Sequence, residues 1–249
     1  AAGPVIDSAR ERAVSSRRPR TIGAEFQTQT KYRRGQLPAA RTRVSPAFKV
    51  YANPKEIARL PQPHLKGGTG VWSALSGDRG EAEGGRIKEA QLSQLLWAAA
   101  GFTAGGERVP LSAQGVSSVE VYVLASQVRN LLAGVYHYDP REHSLAHLSV
   151  GDPMPGLAEA LLTDVDLSAQ AALLCFTGVP GRHRAADGGR PYRYLYLDAG
   201  AAAQAAALAA VAMGLAARMV TDFYDDELAE LLKVDGRDEH PLCALAIGP

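Results

Sequence analysis

An α+β fold is expected from three observations. Apolar strand-like runs at residues 120–125 (EVYVLA), 171–177 (AALLCFT) and 241–247 are spaced irregularly, not in βαβ repeats. Residues 192–220 read as one Ala-rich helix, about 40 Å long if unbroken. Residues 89–101 form an amphipathic helix, with Leu92, Leu95, Leu96 and Ala99 on one face and Gly101 as the stop.

The start of the chain is polar, Arg-rich and aperiodic, so residues 1–27 are assigned to a basic flexible tail. Residues 28–249 are assigned to a single domain. Its first part, 28–65, has frequent prolines and short alternating pieces such as Phe48-Lys49-Val50-Tyr51, as expected of an extended arm wrapping a surface. A Gly-rich break at 66–70 precedes a short helix at 72–75 and a polar loop at 77–85. Residues 134–145 read as a hairpin, with Asp139-Pro140 starting its turn. A short helix is expected at 157–162, and 178–190 is a polar Gly/Arg segment. Asp225 to Leu232 forms another helix, and Val234-Asp235-Gly236 turns the chain into its last strand.

Composition narrows the function classes. The chain has 249 residues, 46% hydrophobic and 21% charged, which suits an ordinary globular protein. Net charge is +1, yet residues 1–50 carry 11 Lys/Arg against 3 Asp/Glu. A basic arm on an acidic body points to docking within or between subunits, or to disorder. Without aromatic interleaving or a reading motif it does not point to nucleic acid. Cys175 and Cys243 sit in apolar runs and read as buried hydrophobes, with no metal-ligand spacing around them. No secretory pattern opens the sequence, and alanine is a weak membrane anchor, so a cytoplasmic protein with no membrane span is expected. There is no G-x-S-x-G, Walker loop or Rossmann fingerprint in a suitable setting.

An ordered set of segments resembles SagB-type dehydrogenases, a branch of the flavin-dependent nitroreductase superfamily. The segments are Thr30-Lys-Tyr-Arg-Arg-Gly, Pro46-Ala-Phe-Lys-Val-Tyr, Leu92-Ser-Gln-Leu-Leu-Trp-Ala-Ala-Ala-Gly and Ser118-Val-Glu-Val-Tyr-Val-Leu. They continue through Gly134-Val-Tyr-His-Tyr-Asp-Pro, Tyr192-Arg-Tyr, Gln204, Val234-Asp-Gly and Glu239-His-Pro-Leu. The resemblance implies a nitroreductase-like fold: a mixed, mainly antiparallel sheet flanked by helices, with a long central helix that builds a dimer. It also implies flavin mononucleotide (FMN) at the dimer interface, and oxidation of thiazolines or oxazolines on a ribosomal peptide to azoles.

Carried over by position, the resemblance places cofactor contacts at Arg79, Ser112, Gln114, Arg193 and Gln204. Arg86 is a substitute for Arg79, and Arg182, Arg184 and Arg190 are further candidate phosphate ligands. Gln114 stands where the family has glycine. The family's Lys-Tyr acid/base pair falls on Ala186 and Asp187, which leaves Asp187 or His183 as the catalytic candidates. Ala201 and Ala205 replace a histidine and an asparagine, and Thr221-Asp222 replaces Gly-Gly. Two functions follow. One is an FMN-dependent dehydrogenase acting on an azoline-bearing peptide or another oxidisable heterocycle. The other is a non-catalytic subunit that forms a heterodimer with an active nitroreductase-like homologue, or binds the precursor peptide. A homodimer wrapped by its arms is the default assembly.

Overall fold

The computed structural model describes residues 21–37, 43–77, 80–183 and 189–249. In chain order the helices are α1 (Ile22–Gln29), α2 (Val71–Ser76), α3 (Glu89–Ala100), α4 (Met154–Ala160), α5 (Arg190–Ala212) and α6 (Asp225–Leu232). The strands are β1 (Glu56–Arg59), β2 (Val119–Ala125), β3 (Gly134–Asp139), β4 (Ser144–Val150), β5 (Ala172–Gly178), β6 (Ala216–Val220) and β7 (His240–Gly248). They build one seven-stranded sheet in the order β1-β4-β3-β2-β5-β7-β6. Every neighbouring pair is antiparallel. The fold is α+β, as the separated elements predict.

Alternation along the strands gives the sheet two apolar faces. Val119, Val121 and Val123 of β2 join Leu92, Leu95 and Leu96 of α3 and the alanines of α5 in one core. Tyr122 and Leu124 join Leu157 of α4 and Leu228 and Leu232 of α6 in the other. Ala199, Ala202, Ala203, Ala206, Ala207 and Ala210 form the buried stripe of α5. Their small side chains let α5 lie close against α3 and the sheet. Arg190–Ala212 meets the length and composition test for a membrane span, but this stripe is spent on the protein core. The free cysteines are buried on opposite sheet faces. Burial pushes the Cys243 thiol up to about 11 and Cys175 higher still, so neither is a nucleophile at neutral pH.

The long helix is shorter than the sequence suggests. It stops at Ala212, and Gly214 at φ 70° turns the chain. The Leu215 amide bonds the Ala210 carbonyl and the Gly214 amide bonds that of Val211, which is a Schellman closure. Residues 216–220 then pair with β7 as an edge strand. The arm also contributes more than an extended wrap. Residues 56–59 add β1 to the opposite edge. Residues 22–27, expected to belong to the flexible tail, lie instead in α1, which starts behind Thr21, whose hydroxyl accepts from the Ala24 amide. The short helix expected at 157–162 begins at Met154, where Asp152 accepts the Met154 amide.

Candidate functional site

The loop between α3 and β2 carries the most constrained backbone near a cleft. Ala113–Gly115 makes one tight turn, with Gln114 at φ 60° and Gly115 at φ 68°. A left-handed glutamine costs what a glycine would not. The loop is tied down by one carboxylate from α5: Asp198 accepts the Ala113 amide and the Ser118 hydroxyl, each at 2.6 Å. Asp198 is 4% exposed. Its burial outweighs these hydrogen bonds and raises its pKa. Arg108, Ser112, Ser117 and Asp198 line one cleft. Arg108 donates to the Ala100 carbonyl and packs over Phe102 and Phe48, and burial lowers its pKa.

The arm closes over the start of α5 beside this loop. Arg190 donates to the Thr30 carbonyl at 3.0 Å and to the Tyr194 hydroxyl at 3.2 Å. Tyr32 and Tyr194 hydroxyls are 3.1 Å apart, and the Gln114 amide reaches Tyr194 at 3.4 Å. Phe26 packs on Gly189, where a Cβ would stand 2.9 Å from its ring, so a larger residue there would push the ring aside. His183 is fully buried, its ring 5.0 Å from that of Tyr194, and neither ring nitrogen has a hydrogen-bond partner. Burial lowers its pKa against the nearby Asp198 charge, which keeps the imidazole neutral.

A buried polar network anchors the turn before His183. Glu120 is paired with Arg182 and, at 2.7 Å, with His137. Arg182 also donates to the Pro46 and Ser117 carbonyls. Lys49 pairs with Glu239 at 2.6 Å, and Tyr122 and Thr177 donate to the same carboxylate. Arm, loop and sheet are therefore locked together behind the site.

The expected residues divide into groups. Ser112, Gln114 and His183 converge around Asp198 and Tyr194. Arg193 faces the arm, donating to the Thr30 hydroxyl at 2.7 Å and the Gln27 carbonyl at 2.9 Å. Arg182 is committed to Glu120, and exposed Arg86 donates to the Val128 carbonyl. Gln204 lies about 9 Å along α5 from Asp198. Arg79, Asp187 and Arg184 fall outside the described residues. The glycines bracketing Arg79 lie at the far end of α5: Gly77 sits against Val211, and Gly80 against Ala216. That is roughly 20 Å along the helix from Asp198. Thr221 and Asp222 are exposed beyond β6.

Asp198, Tyr194, Tyr32 and Arg108 escape the sequence reading. Asp198 alone had a visible signal, as the one acid in an Ala-rich helix. A flavin ring needs close backbone approach and polar donors at its edge. Added Cβ atoms at Gly115 and at Gly200, on the open side of α5, would meet nothing within 4 Å. The Ser112 side chain makes no capping bond. Both glycines leave the backbone open to a ring approaching from solvent, while the cleft behind the loop encloses only about 20 Å³.

The Nitroreductase family profile matches residues 84–249. A nitroreductase-like protein of Methanocaldococcus jannaschii is 32% identical over 160 residues, 64% of this chain and 79% of that protein. The crystal structure of a nitroreductase-like protein of Ralstonia eutropha superposes with a TM-score of 0.65 at 27% identity, covering 86% of this chain and 94% of that one. The Escherichia coli microcin synthetase McbBCD complex, solved with truncated pro-MccB17 bound, superposes at 0.59 and 21% identity, covering 81% and 84%.

Proposed function

The chain belongs to the Nitroreductase family of oxidoreductases, and from that membership we propose that it is an FMN-dependent dehydrogenase whose site is completed by a second subunit. The carrying observation is the loop at 112–118, held by Asp198, with nothing standing over the Gly115 backbone. Ser112, Gln114 and Arg108 would hold the ring edge, and Gln204 would face it from α5. Bound flavin supplies a hydride acceptor. The chain's residues orient the substrate, exclude water and move its proton.

The roughly 20 Å between this loop and the neighbours of Arg79 exceeds the separation of ring and phosphate in one FMN. We read the two halves as belonging to two sites, each shared with a partner through the exposed stripe of α5. Tyr196 and Leu197 on that helix are 58% and 66% exposed, as expected of a face a second subunit covers. The substrate class proposed is an azoline on a peptide, in the cytoplasm, from the SagB-type resemblance. The McbBCD likeness supports the fold, and the peptide it holds is consistent with that class.

A second reading, a non-catalytic subunit paired with an active homologue, is favoured by one observation. Arg190 and Arg193, candidate phosphate ligands, are spent on the arm. Incubation with FMN followed by gel filtration tests the two. Retained flavin supports the enzyme. A colourless protein that forms a stable heterodimer with a co-expressed homologue supports the subunit.

A further inference from the structure

The missing Lys-Tyr pair leaves the proposed enzyme without an obvious proton-transfer group, and the start of α5 holds a candidate that the sequence does not single out. Tyr194 is 8% exposed, and its hydroxyl is the meeting point of two N–H donors and a second hydroxyl. Arg190 Nε lies at 3.2 Å, Gln114 Nε2 at 3.4 Å and Tyr32 Oη at 3.1 Å. N–H groups aimed at a phenol oxygen favour its ionised form. The positive end of α5, a helix of 23 residues, adds to the same effect. Through Gln114 the hydroxyl also touches the loop proposed to carry the flavin. Among the described residues, two other titratable groups nearby are engaged or enclosed: Asp198 is used by the loop, and His183 is buried against the Tyr194 ring.

We propose that Tyr194 is the proton-transfer residue of this site, with Tyr32 as its relay to solvent. In its ionised form the Tyr194 oxygen takes the proton that the substrate releases and becomes a phenol. Tyr194 then hands that proton to the Tyr32 oxygen as Tyr32, 42% exposed, releases its own to water, which returns Tyr194 to the ionised form. Only the O–H bonds of the two tyrosines form and break in this cycle. Among the described residues, the charged and titratable groups around Tyr194 are Tyr32 from the arm, Arg190, Arg193 and Asp198 from α5, and His183 from the preceding turn. Burial opposes ionisation of Tyr194, but the hydrogen bond from Tyr32 and the Arg190 guanidinium outweigh it. The net direction is downward, while Tyr32 moves upward. The proposal rests on the flavin reading above, but its first test needs no flavin.

The test is an ultraviolet titration of tyrosine ionisation in the purified protein. The wild type is expected to show one step below the bulk of its tyrosines, and Tyr194→Phe is expected to lose it. Arg190→Gln should shift that step to about tenfold weaker acidity, and it keeps the test open if Tyr194→Phe fails to fold. In flavin-loaded protein the acid-side limb of the rate profile should move to higher pH in Arg190→Gln. A step that persists in Tyr194→Phe, or a step and limb that ignore Arg190→Gln, overturns the proposal. Absence of flavin binding is read separately and bears only on the oxidoreductase assignment.

Discussion

Three residues carry the local account. Asp198 satisfies the Ala113 amide and the buried Ser118 hydroxyl together. Asp198→Ala should therefore cost about 1–3 kcal/mol in denaturant unfolding and loosen the loop. Gln114 pays for its left-handed backbone. Gln114→Gly should raise stability by up to about 1 kcal/mol, less the weak bond to Tyr194, and the same titration reads it. Glu120 sets an acid limit. Its burial would raise its pKa, but His137 and Arg182 outweigh that and hold it below the usual carboxylate range. Its stabilisation is therefore fully present above the unfolded-state value of about 4.3, and is lost as pH falls through the lower folded-state value. Glu120→Gln should destabilise by about 3 kcal/mol at neutral pH, with the gap closing in acid. A Tm difference that stays constant with pH would contradict this. The loops carrying Ser112 and His183 were legible because loop position survives in sequence order. The meeting of Tyr194 and Tyr32 was not, because they are 162 residues apart along the chain and no periodicity encodes it.

At the scale of elements, α3, β2, the β3–β4 hairpin, α6 and β7 could be read from apolar period and turn chemistry. The boundary of α5 could not. Residues 216–220 continue an apolar run whose period fits a buried strand as well as a helix, and Gly214 was the sole local sign of the stop. Both α1 and β1 were hidden for a related reason: each is short, mostly exposed, and specified by its docking. α1 buries none of its residues and is held by Arg193, Arg190 and the Phe26–Gly189 contact. Arg193→Ala should raise amide exchange across residues 22–30, by about 1–3 kcal/mol of local opening, while the core exchanges as before. Unchanged exchange there would remove Arg193 from the docking contact.

For the whole molecule, the sheet and its two helix layers were legible because strands and helices alternate without βαβ order. The proposed site was only half legible: it draws on Asp198 and on the neighbours of Arg79, which are far apart along α5, and a linear sequence does not say which subunit each would serve. If the exposed stripe of α5 is the subunit face, Leu197→Asp should give a monomer in gel filtration and lower flavin retention together. On the proposed function, this chain holds a flavin at the Asp198-tied loop. The visible absorption spectrum of the purified protein, before and after incubation with FMN and removal of the excess, tests it most directly. A flavin band in proportion to protein, weakened in Asp198→Ala, is the result predicted. A protein that stays colourless after that incubation would contradict it.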